Sequence, residues 1–292
     1  MIAGTSISDG LGNRLFQLSF LYSLAKRNQI GFHYDKWDTP SYHSQNTYRE
    51  LMSHFTSDPL YVPNPPMYNK HVHEGYNDFT NRDQVDVWSK LVLEEKNSGL
   101  QNMNVHIRGF FQTEAHFKDY AHDIRSFLKE PVWVTEKIQG TYEREWTKEQ
   151  QAQSVFLHVR LGDFLHNIKH FIDLNLYYSR CMEMLKNLSP NATVVVFSDD
   201  LDRIKTVYPH LDLQLKNFSC VKMDESDELV CLYMMSRCHL GGICPNSTFS
   251  WWGSWLNPNP TKNVFMPSRW VNEPLTDAAG IYPEGALVVS VV

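Results

Sequence analysis

The stretch SVFLHVRLGDF, Ser154–Phe164, decides the fold. Its first part, Ser154–Val159, is a short apolar run of the kind that forms a buried strand in a parallel sheet. Arg160 and Asp163 then follow the carboxyl end of that strand, where doubly wound sheets bind their ligands. Arg160 suits phosphate oxygens because its planar fork stays charged, and His158 is near enough to reach the same place. A purely structural Arg160–Asp163 ion pair fits the spacing equally well.

The rest of the second half alternates apolar runs with amphipathic segments, a rhythm typical of parallel α/β layers. The predicted strands and helices that follow are Leu174–Asn187 (helix), Thr193–Ser198 (strand), Glu228–Ser236 (helix), His239–Ile243 (strand), Trp251–Leu256 (helix) and Val264–Met266 (final inner strand). This pattern predicts a Rossmann-like domain over residues 151–292, with its ligand at the carboxyl ends of the strands.

The segment NSTFSWWGSW, Asn246–Trp255, follows a predicted strand and opens a predicted helix. Backbone N–H groups and hydroxyls at a helix N-terminus suit a diphosphate. The predicted donor-binding residues here are Asn246, Ser247, Thr248, Phe249 and Ser250. The hydroxyls could equally cap the helix, and the tryptophans are predicted to lie in the core.

The segment FSDD, Phe197–Asp200, ends another predicted strand. Acidic residues in that place can hold a ribose, a base or a metal ion, so Asp199 and Asp200 are also predicted donor-binding residues. Asp199 could instead cap a helix that starts near Leu201.

The first half, residues 1–150, is predicted to be a Rossmann-like domain on the acceptor side. Its predicted strands are Ile2–Ile7 and Val105–Phe110, and its predicted helices are Asn13–Arg27 (capped by Asn13), Glu114–Phe127 and Thr135–Gln153. The turn SDGLGN carries Gly10 and Gly12, and glycine lets a backbone approach a ligand closely. The loop GFFQTE points Glu114 toward the same strand ends.

The segment from Asp35 to Asp86 is rich in Pro, Tyr, Asn and His, and is predicted to run over the first domain and line an acceptor groove. His71 and His73 are interpreted as a loop pair that lacks a third metal ligand.

Composition excludes several classes of protein. The formal net charge of −6 over 292 residues gives no basic excess for nucleic acid or an anionic membrane surface. Five cysteines at irregular spacing predict buried reduced thiols. We see neither a secretory leader nor an apolar run of transmembrane length, so we expect a cytoplasmic protein; a soluble fragment of a Golgi-type enzyme is the alternative.

Five segments in order, GLGNRLFQ, GFFQTEAHF, HVRLGDF, FSDD and NSTFSWWGSWL, resemble glycosyltransferase family 11, the α-1,2-fucosyltransferases, over nearly the whole chain. The resemblance implies an α/β fold of the GT-B type, with two Rossmann-like domains facing a central cleft. It also implies a GDP-β-L-fucose donor, inversion at the anomeric carbon, a glycan acceptor and no metal cofactor.

The resemblance also implies roles for individual residues. Arg160 matches the first arginine of the family's His-x-Arg-Arg-Gly-Asp motif, which clamps the donor diphosphate. The segment Ser247–Phe249 matches the residues beside the phosphates, and Gly10, Gly12 and Asn13 match a loop over the cleft. For the base that activates the acceptor hydroxyl, Glu114 is the first candidate, with Asp9 and Asp163 behind it.

Two residues depart from the family pattern. Leu161 stands where a second arginine is usual, and Cys231 stands where an acidic residue helps to hold guanine. Asp227 and Glu228 lie about one turn earlier and are candidates to compensate. These departures keep other nucleotide-linked deoxysugars, such as L-rhamnose, open as donors.

Two other functions stay open at this point. One is a metal-dependent transferase in which Asp199 and Asp200 bind Mn²⁺. The other is a non-catalytic sugar-binding protein whose cationic clamp has decayed.

Overall fold

The computed structural model describes residues 1–35, 48–74, 84–97, 104–211, 216–219, 225–273 and 278–292. Contacts divide the chain into two compact units, the first formed by residues 1–129 with 279–281 and the second by residues 130–278 with 282–292. Each unit contains a parallel β-sheet.

The first unit contains the sheet β2-β1-β4-β3, in which every described pair of strands is parallel. Its elements are β1 (Ile2–Ser6), α1 (Leu11–Asn28), β2 (Gly31–Asp35), α2 (Arg49–Ser53), β3 (Lys70–His73), α3 (Gln84–Asn97), β4 (Val105–Arg108) and α4 (Ala121–Phe127). The crossover helix α1 is buried almost all the way round, so Leu15, Leu18, Leu21 and Leu24 lie in the core together with several polar neighbours.

The second unit contains the sheet β10-β9-β8-β5-β6-β7. Its elements are α5 (Val132–Thr141), α6 (Lys148–Ala152), β5 (Ser154–Val159), α7 (Asn175–Leu188), β6 (Thr193–Ser198), α8 (Leu201–Val207), β7 (Lys216–Ser219), α9 (Glu225–Arg237), β8 (Gly241–Ile243), α10 (Thr248–Leu256), β9 (Asn263–Pro267) and β10 (Leu287–Val289). Numbered within the unit, the strands run 3-2-1-4-5-6, the order of a dinucleotide-binding Rossmann sheet, and the order reverses between β5 and β8.

The interior of the second unit is closely packed. All six residues of β5 are buried, and Trp251, Trp252 and Trp255 of α10 are buried against α9. Gly241 has a φ of +121°, and a Cβ there would lie 1.9 Å from the backbone oxygen of Asn263. Glycine is therefore required where β8 enters the sheet beside β9.

Several sequence predictions need correction. Helix α1 begins at Leu11 with Gly10 as its N-cap, so Asn13 does not cap it. His71 and His73 lie in strand β3, since the pairing with β4 overrides a weak local pattern. Glu114 begins a short 3-10 turn, and the α-helix starts only at Ala121.

The region between the two predicted domains differs as well. Residues 135–153 form parts of two helices, α5 and α6, and α5 packs on α9 of the second unit. The predicted boundary at residue 150 therefore falls inside the second unit. A further strand, β10, follows β9 and forms the edge of the sheet, so β9 is the last inner strand, as predicted.

The cysteine prediction is confirmed for Cys181, Cys231, Cys238 and Cys244, which are buried free thiols. Cys220 lies outside the described residues. The predicted acceptor groove falls partly on residues 36–47 and 75–83, which are also outside them.

Candidate functional site

Arg160 lies directly after β5, on one side of the point where the strand order of the second sheet reverses. Its Nη1 is 3.0 Å from Oδ2 of Asp199, and its Nη2 donates to Oδ1 of Asp163. The guanidinium also lies over the ring of Phe164, 5.4 Å from the centroid. The side chain is 11% exposed, so a permanent cation is held in a defined orientation at the ligand-binding end of the sheet.

Asp199 fixes the loop that carries Arg160. It follows β6, the next strand of the sheet, and its side chain is only 7% exposed. Besides the ion pair, its Oδ1 accepts the N–H of Leu161 at 2.8 Å. A Cβ on Gly162 would lie 2.4 Å from Asp199 Oδ2, so the glycine makes room for the carboxylate. Asp199 therefore holds both the backbone and the side chain of the arginine loop.

Asp200 is the N-cap of α8, a role for which the sequence analysis had offered Asp199. Its carboxylate accepts the N–H of Arg203 at 3.3 Å in the first turn of α8, and its own N–H donates to Ser198 Oγ at 3.0 Å. The prediction that Asp199 forms the cap is therefore wrong, because the side chain of Asp199 points toward the neighbouring loop.

His158 is a buried neutral imidazole beside the arginine loop. Burial, together with the positive charge of Arg160, lowers its pKa to about 3. Its ring lies 5.8 Å from that of Phe249, so the end of β5 contacts the start of α10. Nδ1 has no hydrogen-bond partner within the described part of the chain.

The residues around the start of α10 are of two kinds. Some are buried and hold the structure together, and others are accessible to a ligand. Asn246 Nδ2 donates to the carbonyls of His170 and Trp270 at 2.8 and 2.9 Å, which ties two loops together. Ser250 is fully buried, with its hydroxyl 3.4 Å from the carbonyl of Ser247. Ser247 occupies the N-cap position without a side-chain capping bond. Thr248 and Phe249 are half-buried, so they can contact a ligand.

Leu161 contributes no polar group to the site. Its side chain is fully buried in the hydrophobic core of the second unit, and only its N–H faces Asp199. On α9, Glu228 and Cys231 lie one turn apart and both are buried, at 6% and 4% exposure. A buried carboxylate therefore lies one turn from Cys231.

In the first unit, the loops after β1 and β4 are joined by side-chain amides. Gln112 Nε2 donates to Asn13 Oδ1 at 2.8 Å, and Gln17 bridges the Ser8 N–H and the Gly109 carbonyl at 3.0 and 3.1 Å. The predicted loops SDGLGN and GFFQTE are thus adjacent.

Gly10 has an ordinary φ of −70° and open space around its Cβ position, whereas Asp9 takes the left-handed conformation with φ +69°. Gly12 is buried in the first turn of α1. Glu114 is half-buried, and its charge acts on the nearby Arg125.

Arg14 is a residue that the sequence analysis missed. It is 1% exposed, donates from Nε to the Asp9 carbonyl at 2.7 Å, and lies 5.5 Å from the centre of the Tyr48 ring. Its place inside the GLGNR segment was the available signal, because an arginine within a leucine-rich helix needs a polar partner.

Two absences apply to the described residues only. They contain no group of three or more His, Cys, Asp or Glu side chains arranged to hold a metal ion. Nor does any described helix have both the length and the apolar character needed to cross a membrane.

The model of the family described as Glycosyl transferase family 11 matches residues 67–282, which is most of the chain. The chain belongs to family 11. It is a glycosyltransferase, as the family indicates.

Relatives named as glycosyltransferases agree with this assignment. An α-1,2-colitosyltransferase of Escherichia coli is 23% identical over 278 residues, which cover 90% of each chain. The O-antigen biosynthesis glycosyltransferase WbnK of Escherichia coli is 29% identical over 126 residues, which cover 41% of this chain and 40% of WbnK.

Solved structures show the fold. The crystal structure of NodZ α-1,6-fucosyltransferase soaked with GDP-fucose matches with a TM-score of 0.50 at 14% identity, covering 88% of this chain and 92% of NodZ. The predicted α/β fold of the GT-B type, with two Rossmann-like sheets, is therefore confirmed.

Proposed function

We propose that this family 11 enzyme transfers L-fucose from GDP-β-L-fucose to a sugar hydroxyl with inversion, forming an α-1,2 linkage, with O2 of a terminal galactose as the acceptor atom. The observation that carries the proposal is the guanidinium of Arg160, held after β5 at the reversal of strand order and aligned by Asp199. Such a cation can stabilise the charge that grows on a leaving diphosphate.

The two carboxylates on Arg160 have different roles in this proposal. Asp199 is 7% exposed and bound to the Leu161 N–H, so it keeps its place when a donor binds. Asp163 is 34% exposed and bonded to the opposite side of the guanidinium, so a phosphate can displace it. The remaining donors for the diphosphate are the N–H groups around Ser247, Thr248 and Phe249, at the positive end of α10.

The transfer itself breaks the bond between the anomeric carbon and the diphosphate oxygen, and GDP leaves with that electron pair. The acceptor oxygen attacks the opposite face of the anomeric carbon, and its proton passes to a base. Glu114 is the first candidate for that base, ahead of Asp9 and Asp163, and all three carboxylates are half-buried.

A second candidate donor is suggested by the relative that matches 90% of the chain and is named as an α-1,2-colitosyltransferase. Colitose is the 3-deoxy form of L-fucose, so both sugars lack an oxygen at C6 and differ at C3. A comparison of GDP-fucose with GDP-colitose in transfer assays separates the two, and a rhamnose donor belongs in the same series.

Nucleotide binding provides the test of the donor class. We expect GDP to raise the melting temperature, since a ligand at 100 times its Kd adds about 2.7 kcal/mol of stability. Discrimination against UDP and dTDP should be weaker than in a relative with the acid, because the Cys231 thiol is a poor acceptor for guanine N–H groups.

The variant Cys231→Asp should sharpen the preference for GDP, by roughly 5- to 150-fold if one buried hydrogen bond is gained. Calorimetric titration of GDP, UDP and dTDP checks this, with Cys231→Ala, which adds no acceptor, as a control at the same position of α9. Binding of UDP or dTDP alone would exclude the fucose donor. Unchanged affinities in Cys231→Asp would instead mean that position 231 does not face the base.

Transfer activity is expected to persist in EDTA. In this proposal Arg160 and the helix N-terminus neutralise the leaving group, while Asp199 and Asp200 are committed to Arg160 and to the cap of α8. The assay compares initial rates of GDP release with EDTA, with added Mn²⁺ and with matched NaCl. Loss of activity in EDTA that Mn²⁺ restores, and NaCl does not, would favour the metal-dependent alternative.

A further inference from the structure

One face of the first sheet is built from polar side chains. The register pairs Gly4 with His33 and His106, Ser6 with Asp35, His71 with His106 and His73 with Arg108. Residues paired in register on parallel strands share a face, and so do residues two apart. We call this surface the histidine face, and its members are Gly4, Ser6, His33, Asp35, His71, His73, His106 and Arg108.

The opposite face of the same strands is apolar and buried, with Ala3, Phe32, Tyr34, Val105 and Ile107 in the core. Parallel sheets normally carry apolar residues on both faces. The histidine face departs from that rule on all four strands, and His71, His73 and Arg108 on it are exposed. The polar composition therefore needs an explanation beyond folding.

Three buried polar atoms near the histidine face have no hydrogen-bond partner among the described residues. They are Nδ1 of His106, the hydroxyl of Tyr68 and Oδ1 of Asp35. His106 is 7% exposed, and its other ring nitrogen lies 3.2 Å from Ser6 Oγ. Eleven side-chain N or O atoms of the described residues are buried without a hydrogen bond, and three of them lie near this one surface, so their grouping points to a missing ligand.

Tyr68 packs against this surface because Gly4, which lies beneath it, has no side chain. A Cβ on Gly4 would lie 1.9 Å from the Tyr68 hydroxyl, so the phenol occupies space that only glycine leaves open. The Tyr68 and His106 rings are 5.1 Å apart, and those of His71 and His106 are 5.3 Å apart. The Tyr68 and His106 rings are therefore neighbours, and the charge of Asp35 acts on both of them.

The chemistry of these groups favours a hydroxylated ligand. Burial lowers the pKa of His106; Asp35 opposes that effect, while His71, Arg108 and His73 add to it. A neutral imidazole offers one donor and one acceptor, a phenol can do both, and a carboxylate accepts. A sugar hydroxyl both donates and accepts, so neighbouring hydroxyls of one sugar ring match this set.

We propose that the histidine face binds the acceptor saccharide through its hydroxyl groups, with His106, Asp35, Tyr68 and the exposed His71 as the contacting side chains. This inference rests on the proposed transfer function, and it gives that function an acceptor site in the first unit.

Binding is tested first without any donor. The histidine ring protons are followed by NMR during titration with β-linked disaccharides that end in galactose, glucose or N-acetylglucosamine. We expect His71, His73 and His106 to shift with at least one of them while His122, an exposed histidine of α4, does not. If no disaccharide shifts the three resonances, the inference is wrong.

Variants then test the effect on transfer. His106→Phe and His71→Ala should raise KM for the disaccharide that binds, by roughly 5- to 150-fold for His106→Phe, the factor expected from one buried hydrogen bond. GDP affinity and hydrolysis of GDP-fucose by water should stay as in the native chain. The matched controls are His116→Phe, a buried histidine of the same unit, and His122→Ala, and both should transfer normally.

Each outcome separates this inference from the proposed function. If the native chain neither binds GDP nor hydrolyses GDP-fucose, the proposed function fails, while the NMR titration still tests the face. If both face variants transfer with native KM, the acceptor binds elsewhere. If His106→Phe does not fold, the kinetic comparison is made with His71→Ala, which changes an exposed side chain.

Discussion

Replacing Arg160 with alanine is expected to lower the transfer rate by about 100- to 1,000-fold, or about 2.7–4 kcal/mol of barrier, as for other groups that stabilise a developing anion. Arg160 lies directly after β5, at the point where the strand order of the second sheet reverses. Asp199 and Asp163 orient its guanidinium. Rates of GDP release at saturating donor and acceptor measure the loss.

Two further variants define the cause. Arg160→Lys should also be impaired, because an ammonium cannot pair with two carboxylates in the fork geometry of a guanidinium. Arg203→Ala is the matched control, since this arginine pairs with Asp200 in the same unit but is 52% exposed. Near-native turnover in Arg160→Ala, with Arg203→Ala also normal, would remove Arg160 from the mechanism.

Two strands of the second sheet, β5 and β6, could be predicted from the sequence to the residue. Ser154–Val159 and Thr193–Ser198 are continuous apolar runs because both faces of these strands are buried. The tryptophans of α10 were also predicted correctly as core. In each case most residues of the segment are buried and therefore apolar, so the local sequence pattern is enough to predict the element.

The outer strands could not be predicted in the same way. Strand β3 reads KHVH and β10 has only three residues, so neither carries an apolar alternation of useful length. Their conformation is set by pairing with β4 and β9, which are remote along the chain. The polar alternation in FHYD, KHVH and VHIR was nevertheless a readable sign of a polar sheet face.

The site shows the same division between local and remote contacts. The pairing of Arg160 with Asp163 was predicted from their spacing, since the two residues are three apart. The pairing of Arg160 with Asp199 was missed, because it depends on β6 lying beside β5. The missing second arginine is explained only by the packing, which directs Leu161 into the core.

Asp199→Asn is expected to lower the transfer rate by roughly 10- to 150-fold with little change in melting temperature. The asparagine can still accept the Leu161 N–H, but its amide presents no negative charge to Arg160. A hydrogen bond to a charged group contributes about 1.5–3 kcal/mol, which corresponds to that range of rates. In the proposed mechanism Asp199 acts through Arg160 and not through contact with the donor, so the loss should fall mainly on kcat.

A double-mutant cycle distinguishes this positioning role from a general effect on folding. In the Arg160→Ala background, Asp199→Asn should cost almost nothing more, since the group that it orients is gone. Gly162→Ala offers an independent test without any change of charge, because the added methyl group would lie 2.4 Å from Asp199 Oδ2 and displace the carboxylate. The same loss of kcat is expected in Gly162→Ala. If the costs of Arg160→Ala and Asp199→Asn instead add in full, Asp199 acts separately from Arg160 and the positioning role is wrong.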